Sequence, residues 1–166
     1  MSGHAAEIPA PLLWLEGSGL GQVMRQSLWL YPTVEILHIL GFALVLISVL
    51  LFDVRVLGRQ RDLAVDDTGR LLLPAAWLGM GLAVITGVML LATQAASIGM
   101  QTVFWVKMGL VLLAGANALL FHGWCLRHLY RWNRLAPAPR RAKAVAAVSM
   151  LGWLGVLVSG RLIAYL

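Results

Sequence analysis

Four long apolar runs, set apart by polar stretches, organise the chain at about 31–52, 74–94, 103–122 and 144–165. Each approaches the ~20 residues that a helix needs to cross the hydrocarbon core of a bilayer. Asp53 and Arg55 close the first run, Thr93 and Gln94 the second, and Gln101 and Thr102 stand before the third. Pro137 and Pro139 break the chain ahead of the fourth. Pro74 sits where the first turn of a helix tolerates proline. The pattern predicts an all-α fold: an integral membrane four-helix bundle over 31–166, preceded by an N-terminal segment, 1–30.

That segment has its own pattern. From Pro11 to Leu28, apolar Leu12, Leu13, Leu20, Val23 and Met24 alternate with Glu16, Gln22, Arg25 and Gln26. The spacing predicts an amphipathic interfacial helix on the outer face, then a bend at Tyr31–Pro32 into the first span. A loosely ordered tail is the alternative. A secretory signal is excluded, because no basic region opens it and Glu7, Pro9, Pro11 and Glu16 interrupt any apolar core.

Charge in the connections sets the expected orientation. Arg55, Arg59, Arg61 and Arg70 fall in 53–73, and Arg127, Arg131, Arg134, Arg140, Arg141 and Lys143 in 123–143. The connection 95–102 has no lysine or arginine, and the N-terminal segment has only Arg25. Basic connections stay in the cytoplasm, so both termini are expected outside, in a bacterial inner membrane. Trp29 and Trp105 then mark outer ends and Trp77 and Trp124 inner ends, as interfacial belts require. Trp153 does not fit this belt. It packs inside the bundle, faces lipid or touches a ligand.

Composition agrees with the pattern. The 166 residues are 60% hydrophobic and 12% charged, against about 25% charged in a soluble domain. One soluble core of this length cannot hide so much apolar surface. The net charge of +6 flanks the spans, so it reads as membrane topology and not as a nucleic-acid surface. The single Cys125 excludes an internal disulfide framework and a cysteine-based zinc cluster. There is no Walker loop, nucleotide fingerprint or Ser-His-Asp spacing, and Gly79 and Gly81 read as helix packing.

The chemistry lies in polar residues inside the runs. With a rise of ~1.5 Å per residue, Glu35 and His38 fall about 6–12 Å from the outer end of the first span and Lys107 about 7 Å from that of the third. Thr86 and Met89 on the second span, Met108 on the third, and Ser159 and Arg161 on the fourth come to the same level. Four helices thus each bring something polar or soft to one outer layer. Ionisable groups in a membrane are costly and usually face a cavity or one another. The purely structural reading pairs Glu35 with Lys107 or Arg161, lets Arg161 snorkel to the interface, and has a neutral His38 donating to a backbone carbonyl. The functional reading makes His38 a ligand of haem iron or copper, with basic groups for the cofactor's carboxylates and Met89 or Met108 as a soft sixth ligand. His122 is excluded as a second ligand, because it lies nearly 20 Å deeper than His38. His128 belongs with it at the basic end, and Asn117 reads as a helix–helix hydrogen-bond donor.

The stretches "LHILGFALVLISVLLFDVRVLG" and "FWVKMGLVLLAGANALLFH" resemble the CopD-like group of small bundle proteins, which includes HemJ-type bacterial protoporphyrinogen oxidases. His38 matches that group's early-span histidine, and Lys107 its Trp/His-x-Lys entry into another span. "LWLYPTVEILHILG" and the closing "GRLIAYL" resemble a branch of four-span bacterial proteins within this group. The resemblance covers 12–166 and implies haem b in the outer half of the bundle, or copper handling. The chain departs from the oxidase branch in having no arginine within 74–94.

Three readings follow. The first is an inner-membrane haem-b redox protein that transfers electrons, with a quinol or a periplasmic redox protein as partner. The second is a copper transport or tolerance protein using His38 with Met89 and Met108. The third is a non-catalytic assembly subunit, with Ala83-x-x-x-Gly87 and Gly155-x-x-x-Ser159 serving packing. A bundle with so few polar residues is also a candidate for self-association.

Overall fold

The apolar runs fold as helices. A computed structural model describes residues 8–59, 62–121, 123, 132 and 137–165. Within them the helices are α1 (Ala10–Gly17), α2 (Gly19–Gln26), α3 (Leu30–Val56), α4 (Val65–Thr93), α5 (Ala95–Gly99), α6 (Thr102–Leu120) and α7 (Arg140–Ile163), and there is no strand. The helices α3, α4, α6 and α7 are each long and apolar enough to cross a membrane. The protein is an all-α, multi-pass membrane four-helix bundle.

Two boundaries differ from the sequence reading. Helix α4 begins at Val65, so Pro74 lies inside it and not in its first turn. The cause is local electrostatics. Asp66 and Asp67 occupy the first turn, at the positive end of the helix dipole, and Asp66 pairs with Arg70 at 3.2 Å, one turn on. Pro74 then removes a single backbone bond on an exposed face. Helix α3 in turn runs on to Val56, so Asp53 and Arg55 are buried within it and do not end it. Arg55 Nε donates to the Leu63 carbonyl and so ties the following turn to the helix. His122, Trp124, His128, Cys125 and most of the basic connection 123–143 lie outside the described residues.

The N-terminal segment forms two short helices, not one. They break at Ser18, whose hydroxyl accepts from the Gly21 N–H at 3.3 Å and caps α2. The next break falls before Leu30 and not at Tyr31–Pro32. Pro32 stands in the first turn of α3, where the missing N–H has no helical partner to lose.

Only α2 is amphipathic; α1, with Leu12, Leu13, Trp14 and Leu15 in succession, is apolar around most of its circumference, and both are fastened to the bundle. Arg25 Nη1 donates to the Thr93 carbonyl at 3.1 Å, at the C-terminus of α4, where carbonyls lack helical partners. The Glu16 carboxylate accepts from the Ala96 N–H at 2.7 Å, at the start of α5. Gly99 lies directly against Leu12. The connection 95–102, expected as a loop, contains α5 because α1 packs on it.

The four spans pack in the order α4–α3–α7–α6. The α3–α4 contact is the closest. A Cβ added at Gly79 would lie 2.6 Å from the Gly41 carbonyl oxygen, and one at Gly41 would lie 3.0 Å from the Gly79 carbonyl oxygen. Bare backbone meets bare backbone, as small residues permit in membrane helix pairs. Trp153 settles inside the bundle, with Val45, Ala114 and Val156, its ring tilted against Phe42 at 6.3 Å. A second core, near the ends of the spans away from α5, gathers Phe52, Val56, Val65, Phe121 and Trp132. Trp29, Trp77 and Trp105 are exposed.

Candidate functional site

From Val34 to Phe52 the buried positions of α3 are Val34, Gly41, Val45, Ser48 and Phe52, the three- and four-residue spacing of one helix face; Asp53, Arg55 and Val56 are buried beyond it. His38 falls in this register between Val34 and Gly41, so its ring turns towards α4. Gly87 leaves the room for it: a Cβ there would stand 3.1 Å from His38 Cε1. Glu35 is one step off the register and is exposed.

His38 Nδ1 lies 3.0 Å from Thr86 Oγ1, and Thr86 Oγ1 lies 2.6 Å from the Leu82 carbonyl oxygen. A carbonyl can only accept, and a hydroxyl has one proton. Thr86 therefore donates to Leu82 and accepts from His38 Nδ1–H. The Ala83 carbonyl oxygen lies 3.4 Å from the same hydroxyl. The network puts a proton on Nδ1, so in the neutral imidazole the lone pair is on Nε2. The hydrogen bond that His38 makes is to the Thr86 hydroxyl, where the structural reading expected a backbone carbonyl.

Lys107 approaches from the far side. It is half-buried on α6, and its Nζ lies 3.7 Å from the position a Cβ would take at Gly160 of α7. Ser159 is buried, and its hydroxyl donates to its own helix at the Gly155 carbonyl, 2.8 Å away. Met89 and Met108 are half-buried on α4 and α6.

The sequence layer therefore divides. His38, Thr86, Lys107 and Ser159 sit on packed faces, whereas Glu35 and Arg161 are on the outside. Arg161 donates to the Tyr165 hydroxyl at 3.1 Å, and its guanidinium stands over that ring. Glu35 forms no ion pair with Lys107 or Arg161. Among the described residues, no three His, Cys, Asp or Glu side chains gather into a metal-holding group, so a metal at this level would have His38 as its one nitrogen ligand.

Gly160 is a part that sequence reasoning missed, and Gly87, read there only as a packing residue, is another whose role it missed. Each clears space for an ionisable side chain on the adjacent helix. The signal was available in α4 as Gly79, Ala83 and Gly87 at four-residue intervals, which put a glycine opposite the histidine level. Asp53 was also missed as an interior residue. It is one position beyond Phe52 in the buried register of α3, and the Ser149 hydroxyl of α7 is within hydrogen-bonding reach of its carboxyl.

No protein-family model, curated protein or solved structure matches this chain.

Proposed function

We propose that the protein is a bacterial inner-membrane redox protein that holds haem b in the half of the bundle nearest α5 and transfers electrons through it. One observation carries this reading. His38 is held through Nδ1 by Thr86, which orients the ring and leaves Nε2 as a ligand. The donor set suits haem, since iron in a haem needs as little as one protein nitrogen. Lys107 would serve the propionates, and Met89 or Met108 would offer a thioether as a further ligand. When bound, haem b supplies a one-electron couple. The chain's own part is to fix the ligand ring, to place a cation beside it and to exclude water. A quinol or a periplasmic redox protein is the proposed partner, and the resemblance of the His38 and Lys107 stretches to the CopD-like group points the same way.

The test is a visible spectrum of the protein purified from a haem-replete host, oxidised and then reduced with dithionite. A Soret band with a sharpened reduced spectrum is expected. Colourless protein with stoichiometric copper would favour copper handling through His38, Met89 and Met108. Colourless and metal-free protein would leave the packing-subunit reading.

Lys107→Met is expected to lower the midpoint potential by tens of millivolts, on the order of 1 kcal/mol for removing one partly screened charge. The sign follows from charge: a cation nearby favours the reduced form, and its loss makes reduction harder. An unchanged spectrum and potential would place Lys107 outside the site.

The proposed orientation, with both termini outside, is checked by fusing alkaline phosphatase after Leu166. Activity is expected there, and its absence in a stably expressed fusion reverses the topology.

A further inference from the structure

Helices α4 and α6 barely touch, because α3 and α7 stand between them in the packing order. The gap is a cavity of about 400 Å³, within the range of small-molecule sites. Trp77 of α4 and Leu119 of α6 both line it, and both are exposed on the outside of the bundle. The cavity therefore opens sideways, where lipid would lie, and it does not include His38 or Lys107.

Its walls are apolar apart from Asp53, Asn117 and Ser149. Asp53 lines the floor, is 4% exposed, and its Oδ2 has no hydrogen-bond partner. The neighbouring polar groups do not supply one. The Ser149 hydroxyl is within reach of the same carboxyl yet leaves Oδ2 bare, and the Asn117 amide donates to the Val145 carbonyl at 3.1 Å. A buried acceptor without a donor is costly. In a cavity open to lipid, a lipid-soluble molecule that carries a hydroxyl can supply the missing donor. Phe52, Trp77, Phe121 and Trp153 also line the space, and they suit a flat ring, since aromatic side chains favour offset or edge contacts with one another and with aromatic ligands.

We propose that this cleft binds a quinol-type lipid: an aromatic head whose hydroxyl donates to Asp53 Oδ2, with an apolar body that leaves between α4 and α6. A redox role for that ligand rests on the haem reading, but the binding does not, because the cleft and the His38 layer share no residue. Ordered water on Asp53, or an acyl chain filling the gap, is the competing occupant.

The experiment titrates the full chain in nanodiscs, anaerobically, with decylubiquinol and separately with decylubiquinone, read by calorimetry. Saturable quinol binding is expected, at least about tenfold tighter than quinone binding, because the quinone has no O–H to donate. Asp53→Asn should abolish that preference. Gly115→Leu should weaken binding of both forms, since Gly115 lines the cleft and a Cβ there meets nothing within 4 Å. His38→Ala should bind as the unaltered chain does, so loss of the haem reading and loss of this one are told apart. Absence of saturable quinol binding, equal affinity for quinol and quinone, or a preference that survives Asp53→Asn overturns the proposal. Should Asp53→Asn not fold, quinol binding undiminished in folded Gly115→Leu overturns it as well.

Discussion

Gly79→Leu is expected to abolish the folded protein, and Gly81→Leu, two residues away, to leave it intact. The two glycines differ only in what faces them. A Cβ at Gly79 meets the Gly41 carbonyl oxygen at 2.6 Å and the Val45 nitrogen at 3.0 Å, whereas one at Gly81 meets nothing within 4 Å. The third neighbour, Leu44 Cβ at 3.0 Å, is fixed by its own backbone as the other two are, so no side chain can rotate out of the way. The helices must separate, and the α3–α4 seam is the most extensive in the bundle. Overpacking of a close-packed interior costs about 1–3 kcal/mol; even Gly79→Ala should reach that range, and leucine should exceed it. Against a total stability of about 5–15 kcal/mol, that is enough to unfold a protein of ordinary margin. The measurement is the yield of monodisperse protein in detergent together with its thermal midpoint. A Gly79→Leu protein that melts like the unaltered chain would mean that α3 and α4 do not cross at these residues.

This seam also shows how far the sequence could be read. The four spans were legible because their apolar runs match the bilayer length, and α6 came within two residues of its expected start and end. The start of α4 was not, since Pro74 looks like a first-turn proline while the acidic residues that begin the helix, Asp66 and Asp67, lie in a polar stretch that reads as loop. Amphipathicity placed the N-terminal segment on the outer face, but the pattern could not say that Arg25 and Glu16 would cap α4 and α5. Those bonds depend on tertiary positions 68 and 80 residues away along the chain. Depth arithmetic brought His38, Thr86, Lys107 and Ser159 to one level. It could not tell Glu35 from His38, because level along a helix says nothing about the face, and a three-residue spacing leaves two groups about 60° apart around the axis. The seven-residue rhythm of Val34, Gly41, Val45 and Ser48 makes that distinction and puts His38 on it. Asp53 was hidden for a different reason: a charge at the end of an apolar run ordinarily marks the water boundary, and here the helix continues past it.

His38→Ala is expected to eliminate the Soret band that the haem reading requires, without loss of folded protein. The ring is half-buried and lies over Gly87, and the core of the bundle lies deeper, at Val45, Trp153 and Phe52. Removing the imidazole therefore deletes a ligand more than it opens a packed core. Thr86→Val should be graded. It keeps Nε2 but removes the acceptor that holds Nδ1–H, and losing such an outer partner weakens metal binding by about 10–100-fold. Glu35→Gln serves as the neutral control, because Glu35 is off the buried register and exposed. The predicted order of haem retention is Glu35→Gln, then Thr86→Val, then His38→Ala. A purely structural histidine gives another pattern: no chromophore in any protein and a lowered melting midpoint in both His38→Ala and Thr86→Val, since each breaks the same α3–α4 hydrogen bond. A chromophore that survives His38→Ala would sink His38 as the ligand and move the search to nitrogen and sulfur donors elsewhere in the chain.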